Sequence, residues 1–146
     1  MTDQPPEDRS RDDVRRQFIR GWLTVACVDM ENADILLGGA PSSYTHVAVL
    51  CQQAVEKLIK AVLVYHQIEV PRSHDLGRLL SLLVRREPDF VDRARHATTL
   101  TQYAVTPRYP DGYEYMDLAS ARALYAVAER VRTDVMGLLA PFLDEE

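Results

Sequence analysis

The sequence predicts an all-α protein, an antiparallel up-and-down helical bundle of four to five helices. Apolar residues recur at three- and four-residue spacing over long stretches, as one face of a helix requires. No stretch shows a convincing strand pattern. The predicted connections are short, which favours antiparallel neighbouring helices. A chain of 146 residues is also the size of one domain with a real core.

The first ten residues differ in composition from the rest of the chain. Pro5, Pro6 and mixed charges predict a disordered N-terminal tail over residues 1–10, followed by a single domain over residues 11–146. The polar, acidic start does not resemble a secretion signal, and no apolar run is long enough to span a membrane. Cys27 and Cys51 lie in apolar helical patterns, so we expect buried free thiols and a cytoplasmic protein.

Helix boundaries follow from apolar spacing and from helix-stopping residues. We expect a first helix from about Asp12 to Leu37, with Phe18 and Val25 among its spaced apolar residues, stopped by two glycines and a proline. The second helix covers about residues 44–66 and can be capped by Ser42 or Ser43. The later elements are a third helix opening at His74 and Asp75, a fourth over about residues 89–103 with Pro88 in its first turn, a loop over residues 105–112, and a last helix over about residues 115–143.

Charge and motif content narrow the classes of function. A net charge of −5 argues against broad, charge-driven binding to nucleic acid and leaves room for a local basic patch. The four histidines do not form a His-Glu-x-x-His pair or a Cys/His cluster with metal-ligand spacing. Neither a phosphate-binding glycine loop nor a Gly-x-Ser-x-Gly elbow occurs. We therefore expect no metal and no cofactor.

A polar stripe interrupts the apolar second helix. Gln53, Glu56, Lys57 and Lys60 recur at three- and four-residue spacing, which places them along one side of a helix. Unpaired charge in a core is costly, so such side chains need partners. The stripe faces solvent, pairs across a dimer, or lines a site.

Two further segments carry polar side chains suited to recognition. In the segment Pro71-Arg72-Ser73-His74-Asp75-Leu76, either the turn is simply capped by Ser73 or Asp75, or His74 contacts the polar stripe or a phosphate. The second segment, residues 106–115, contains two prolines that stiffen it. There Arg108 offers a planar fork for phosphate and Tyr109 a ring for stacking, unless Arg108 caps a helix end and the tyrosines pack on the bundle.

In their order and spacing, these motifs resemble the HEPN domain family over about residues 12–143. The matching motifs are Trp22-Leu23-x-x-Ala26-x-x-Asp29, Gln53-Ala54-Val55-Glu56-Lys57-x-x-Lys60-Ala61, Pro71-x-x-His74-Asp75-Leu76 and Arg108-Tyr109-Pro110-Asp111. The resemblance implies a compact antiparallel helical bundle, usually a homodimer, linked to nucleotide or RNA binding. Many members are toxins that cut RNA without metal and are neutralised by a small nucleotidyltransferase partner.

The chain departs from the pattern of the RNA-cutting members. Those use an arginine followed, after four to six residues, by a histidine, whereas Arg108 is followed in that window by Tyr113, Glu114 and Tyr115. Tyr113 stands where the histidine is expected, and Tyr115 matches a tyrosine that the partner transferase is thought to adenylylate in one subgroup. Histidine exchanges protons near neutral pH, while tyrosine titrates near about 10, so Tyr113 is a poor acid–base catalyst.

Three hypotheses remain for the function. The leading one is a non-catalytic or weakly catalytic HEPN-type module that binds a nucleotide or RNA, forms a homodimer and pairs with a nucleotidyltransferase in a toxin–antitoxin-like system. The second is a metal-independent ribonuclease toxin with Arg108, Tyr113 and Tyr115 as its centre. The third is a purely structural bundle in which Glu56 pairs with a lysine across a dimer seam.

Specific side chains carry the leading hypothesis. We expect Arg108 to contact phosphate and Tyr109 to stack on a base. The remaining expected site residues are Lys57, Lys60 and His74 in the wall of the pocket, Glu56 and Asp111 orienting them, and Gln53 on the same polar stripe.

Overall fold

The computed structural model describes residues 6–104 and 115–145, and this part of the chain is all-α. The helices are α1 (Pro6–Gly38), α2 (Thr45–Tyr65), α3 (Leu76–Ser81), α4 (Pro88–Ala94), a 3₁₀ helix (Arg95–Tyr103) that continues α4, and α5 (Leu118–Leu143). No strand occurs within these residues. The predicted fold class, an antiparallel helical bundle, is confirmed.

The central element of the bundle is α2. It packs against α1, α5, α3 and the 3₁₀ helix, and most of its residues are buried. The face of α1 toward α2 carries buried residues at three- and four-residue spacing: Ile19, Leu23, Ala26, Met30 and Ala33. The buried residues of α5 follow the same rule: Ala121, Ala128, Val131, Val135, Leu139 and Phe142. Helical periodicity therefore accounts for the buried faces of α1 and α5.

Several helix ends form as the sequence predicts. The Asp75 carboxylate accepts a hydrogen bond from the Arg78 amide at 3.2 Å and caps α3, and Pro88 lies in the first turn of α4. The N-cap residue of α2 is Tyr44, whose side chain makes no cap bond. The Ser43 hydroxyl, one residue earlier, accepts from the Thr45 amide at 3.4 Å and also from the Met116 amide at 3.1 Å. This contact holds the chain entering α5 against the start of α2.

Other boundaries differ from the prediction. Helix α1 begins at Pro6, earlier than the expected start near Asp12, and α5 begins at Leu118, after the Asp117 carboxylate caps it through the Ser120 amide. The predicted fourth helix divides into α4 and the 3₁₀ helix. Within the latter, threonine hydroxyls donate to backbone carbonyls three residues earlier, Thr98 to Arg95 at 2.7 Å and Thr99 to His96 at 3.1 Å. Such local bonds compete with regular α-helical geometry.

The cysteines and the outer face of α1 differ in part from what the sequence predicts. Cys51 is buried as predicted, whereas Cys27 is only partly buried, and both are free thiols. Phe18 and Val25 are exposed, although their spacing matches that of the core residues of α1. None of the helices in the described ranges is apolar over a length sufficient to cross a membrane.

Candidate functional site

The polar side chains of α2 divide between two faces of the helix. Gln52, Glu56 and Lys60 follow one another at four-residue spacing and are buried together. Lys57 points toward α1, where its Nζ lies 2.5 Å from Asp29 Oδ2. Gln53 is partly exposed. The stripe that the sequence predicts is thus split by the packing of α2 between α1 and α3.

The Glu56 carboxylate is the centre of a polar cluster that joins α2 to the start of α3. Its Oε2 accepts a hydrogen bond from Lys60 Nζ at 2.8 Å, and its Oε1 shares one with His74 Nδ1 at 2.7 Å. Gln52 Nε2 donates to the same Oε1 at 3.3 Å and to the His74 backbone carbonyl at 3.2 Å. Gln52, Glu56, Lys60 and His74 are called the Glu56 cluster below.

The start of α3 holds His74 in place. The Leu76 side chain is buried in the core, and its amide donates to Thr101 Oγ1 of the 3₁₀ helix at 3.2 Å. With the Asp75 cap one residue away, these contacts fix the backbone on the C-terminal side of His74. The imidazole itself is 70% exposed, while the side chains of Glu56 and Lys60 are each 9% exposed. One histidine therefore links a buried ion pair to the surface.

The charge state of Glu56 follows from its surroundings. Burial raises the pKa of this carboxyl, but the hydrogen bonds from Lys60, His74 and Gln52, together with the charge of Lys60, leave its pKa below the ordinary value of 4.5. Glu56 is therefore ionised at neutral pH. Lys60 Nζ also lies 5.6 Å from the centre of the Trp22 ring of α1, a cation–π distance.

The chemistry available to the cluster is orientation and hydrogen bonding at one exposed imidazole. Because Glu56 engages Nδ1 of His74, the ring orientation is fixed and the second ring nitrogen, Nε2, remains for a ligand. Over residues 6–104 and 115–145 no three His, Cys, Asp or Glu side chains group so that they could hold a metal ion.

The described structure contains only part of the predicted site. It brings Glu56, Lys60 and His74 together, and it places Lys57 with Asp29 on the neighbouring face. The predicted residues Arg108, Tyr109, Asp111 and Tyr113 lie outside the described residues. Tyr115 is described and is 71% exposed.

Both flanks of the arginine-containing segment are tied to α2 or α3. Before it, Thr101 of the 3₁₀ helix contacts the Leu76 amide, two residues after His74. After it, the Met116 carbonyl accepts from the Tyr44 amide at 3.0 Å, beside the Ser43 contact. The ends of the segment that carries Arg108 are thus held at the start of α2 and near the start of α3.

Sequence reasoning missed the role of Gln52. Gln52 precedes Glu56 by four residues and Lys60 by eight, which would place all three on one side of the helix. The neighbouring Gln53 is three residues from Glu56, so spacing alone does not decide between the two glutamines. Trp22 and Asp29 belonged to the family-like pattern of the first helix and had no assigned partner. The structure gives them Lys60 and Lys57 respectively.

A second polar groove lies between the 3₁₀ helix and α5, away from the Glu56 cluster. Two of its three arginines have acidic neighbours: Arg93 Nε is 3.2 Å from Asp134 Oδ2, and Arg132 is 3.5 Å from Glu129. Paired and exposed charges of this kind favour a solvated surface over an anion site.

Comparisons with known proteins agree with this architecture. The model of the HEPN domain matches residues 19–138, a range that includes the Glu56 cluster and the segment from Arg108 to Tyr115. The chain is also similar to a solved crystal structure described as an archaeal HEPN homologue. That similarity has 28% sequence identity and a TM-score of 0.64, and it covers 83% of this chain and 97% of the other. No curated protein sequence matches the chain.

Proposed function

Because the chain belongs to the HEPN domain family, we propose that it is a non-catalytic or weakly catalytic HEPN module that binds a nucleotide or RNA. In this proposal it forms a homodimer and pairs with a small nucleotidyltransferase in a toxin–antitoxin-like system. The observation that carries the binding role is the Glu56 cluster, in which a buried ion pair orients one exposed histidine.

The geometry of the cluster suits recognition of a phosphate-bearing ligand. The Glu56 carboxylate accepts a hydrogen bond from His74 Nδ1, which directs the other ring nitrogen outward. A side chain held in its bound orientation loses little entropy when it binds, which favours affinity. Lys60 pairs with the Glu56 carboxylate at 2.8 Å, so the carboxylate that orients His74 does not leave an uncompensated negative charge beside a phosphate.

The segment with Arg108 completes the proposed site. Arg108 contacts phosphate and Tyr109 stacks on a base, while Asp111, with Glu56, orients the side chains of the pocket wall. The anchoring of both flanks of this segment, at Leu76 and at Ser43, supports its assignment to the same site as His74.

The non-catalytic assignment depends on Tyr113. Cleavage of RNA without metal needs a group that exchanges protons near neutral pH, and an ordinary tyrosine titrates near about 10. Arg108 stabilises developing negative charge, but its guanidinium stays protonated at neutral pH and does not act as an acid or a base. Binding needs only the arginine and its neighbours.

The binding role is tested with the purified full chain, a fluorescent single-stranded RNA oligonucleotide and, separately, ATP. Arg108→Ala and His74→Ala are expected to weaken binding by about 10- to 100-fold, because a hydrogen bond to a charged group contributes about 1.5–3 kcal/mol. Arg85→Ala, in the exposed turn after α3, is the matched control and should bind like the parent. Failure of both probes to bind at high micromolar concentration refutes the proposal.

Exposure of Tyr115 supports the proposed nucleotidyltransferase partner. Its ring is open to solvent just before α5, where a second protein can reach the hydroxyl. If the partner adenylylates this residue, the chain purified from its natural host should carry the mass of one AMP group, and Tyr115→Phe should lack it. If the chain is unmodified when purified from a host that also expresses a small nucleotidyltransferase, adenylylation of Tyr115 is refuted.

The ribonuclease alternative, with its centre at Arg108, Tyr113 and Tyr115, is tested by incubating the chain with RNA in the presence of a metal chelator. Cleavage that disappears in Arg108→Ala replaces the binding-only proposal. The structural alternative is not favoured, because Glu56 pairs with Lys60 and Lys57 pairs with Asp29 inside one chain.

A further inference from the structure

The outer face of α1 carries an apolar stripe that packs against no described part of this chain. Its large members are between 43% and 71% exposed: Val14, Phe18, Val25, Val28 and Ile35. With Gly21 and Asn32 they occupy positions 14, 18, 21, 25, 28, 32 and 35, alternately four and three residues apart. This is the heptad pattern of a coiled-coil seam. These seven positions are called the α1 stripe.

The stripe is separate from the core face of the same helix. The core residues, such as Leu23 and Ala26, follow the same spacing on the side of α1 that packs on α2. A helix with one buried apolar face normally presents polar residues on the other. From residue 14 to residue 35 the stripe spans about 32 Å along the helix.

We propose that a second copy of this chain docks on the α1 stripe, so that two α1 helices pair across a two-fold axis. This inference rests on the homodimer in the proposed function and specifies its surface. It places the seam on α1 and not on the charged residues of α2, which pair within the chain.

Shape on the stripe favours an identical partner. Phe18 projects from the surface, and one turn later Gly21 leaves an open groove lined by Gln17, Phe18, Gly21 and Trp22. A side chain added at Gly21 would meet no atom of the described chain within 4 Å. With Phe18 and the groove side by side, an antiparallel two-fold pair seats Phe18 of each copy in the groove at Gly21 of the other, with Val14 against Val25. In this register the two stripes overlap over residues 14–25.

Charge along the stripe also fits self-association. Two identical surfaces repel when they carry net charge of one sign. Over the overlapping residues 14–25 the exposed border at Gln17 and Thr24 is uncharged, and on the other border Arg15 pairs with Asp12 at 3.0 Å. The exposed Glu31 lies beyond this overlap. The seam is therefore apolar and free of net repulsion.

The test measures the mass of the full chain in solution by sedimentation equilibrium at micromolar concentrations. The parent is expected to be a dimer, and Phe18→Glu is expected to weaken the dimer at least 100-fold. Val84→Glu places the same charge on another exposed valine, outside the stripe, and should remain dimeric. A monomeric parent, or dissociation by Val84→Glu but not by Phe18→Glu, overturns the inference.

Gly21→Leu separates docking from folding. The added side chain fills the groove without touching its own chain and replaces a helix-weakening glycine, so thermal unfolding should show a monomer no less stable than the parent. Its dimer should nevertheless weaken at least tenfold. A dimer as tight as the parent's overturns the seating of Phe18 at Gly21. Binding of RNA or ATP tests the proposed function independently of the dimer. If the parent chain is monomeric but binds RNA or ATP, only the α1 seam is refuted.

Discussion

Replacing Glu56 with glutamine tests whether the Glu56 cluster is electrostatically coupled. Glu56→Gln keeps the size of the side chain but removes the carboxylate charge 2.8 Å from Lys60 Nζ. Breaking a buried pair from one side costs about 3–5 kcal/mol, because the other charge stays buried without compensation. We expect about 3 kcal/mol, the lower end of that range, since Lys60 keeps its contact with the Trp22 ring.

The assay is urea unfolding at pH 7 and 25 °C, with the free energy of unfolding extrapolated to water. The double variant Glu56→Gln, Lys60→Met removes both charges and their desolvation, so it should unfold within about 1 kcal/mol of the parent. The matched control is Glu129→Gln, whose partner Arg132 lies 3.5 Å away on the surface of α5. Exposed pairs of this kind contribute below about 0.5 kcal/mol.

Two results would refute the coupling. One is a loss in Glu56→Gln no greater than that in Glu129→Gln, which would mean that Lys60 reaches solvent when its partner is removed. The other is a double variant less stable than Glu56→Gln alone, which would mean that packing, and not charge, accounts for the loss.

Three further predictions concern pH, thiol reactivity and a helix cap. The pKa of Glu56 is lowered in the folded chain, so its stabilisation is present above the unfolded value of 4.5 and is lost as pH falls through the folded value. The unfolding free energies of the parent and of Glu56→Gln should therefore converge as the pH falls from 7 to 3. A difference between them that stays constant with pH would contradict a lowered pKa of Glu56. Burial raises the pKa of Cys51 to about 12, so a thiol reagent at pH 8 should label Cys27 in the folded chain and Cys51 only in urea. Asp75→Ala should cost about 1 kcal/mol of unfolding free energy through the lost α3 cap, and Asp75→Asn much less.

The core and most helix boundaries follow from local features of the sequence. Apolar spacing identifies the buried faces of α2 and α5, and Asp75 and Pro88 mark helix starts through backbone chemistry that does not depend on distant residues. The 3₁₀ helix was not predicted, because it depends on whether Thr98 and Thr99 use their hydroxyls on nearby carbonyls. Helix propensity does not decide that competition.

Partner choice within the site depends on three-dimensional packing. Lys57 and Lys60 are three residues apart, and spacing alone assigns both to one stripe. The position of α1 decides that Lys57 meets Asp29, and the position of α3 decides that Glu56 meets His74. For the same reason spacing did not reveal that α1 has two apolar faces, because Phe18 and Val25 are indistinguishable in pattern from residues that face the core.

The double variant Glu56→Gln, Lys60→Met also separates the stability of the fold from the function of the cluster. A buried ion pair is weak evidence of stability, since apolar residues of similar size often replace it without loss. If that variant folds like the parent but binds RNA or ATP at least tenfold more weakly, the pair serves the ligand by orienting His74. If it binds as tightly as the parent, the exposed imidazole and Arg108 suffice, and the buried pair has no part in recognition.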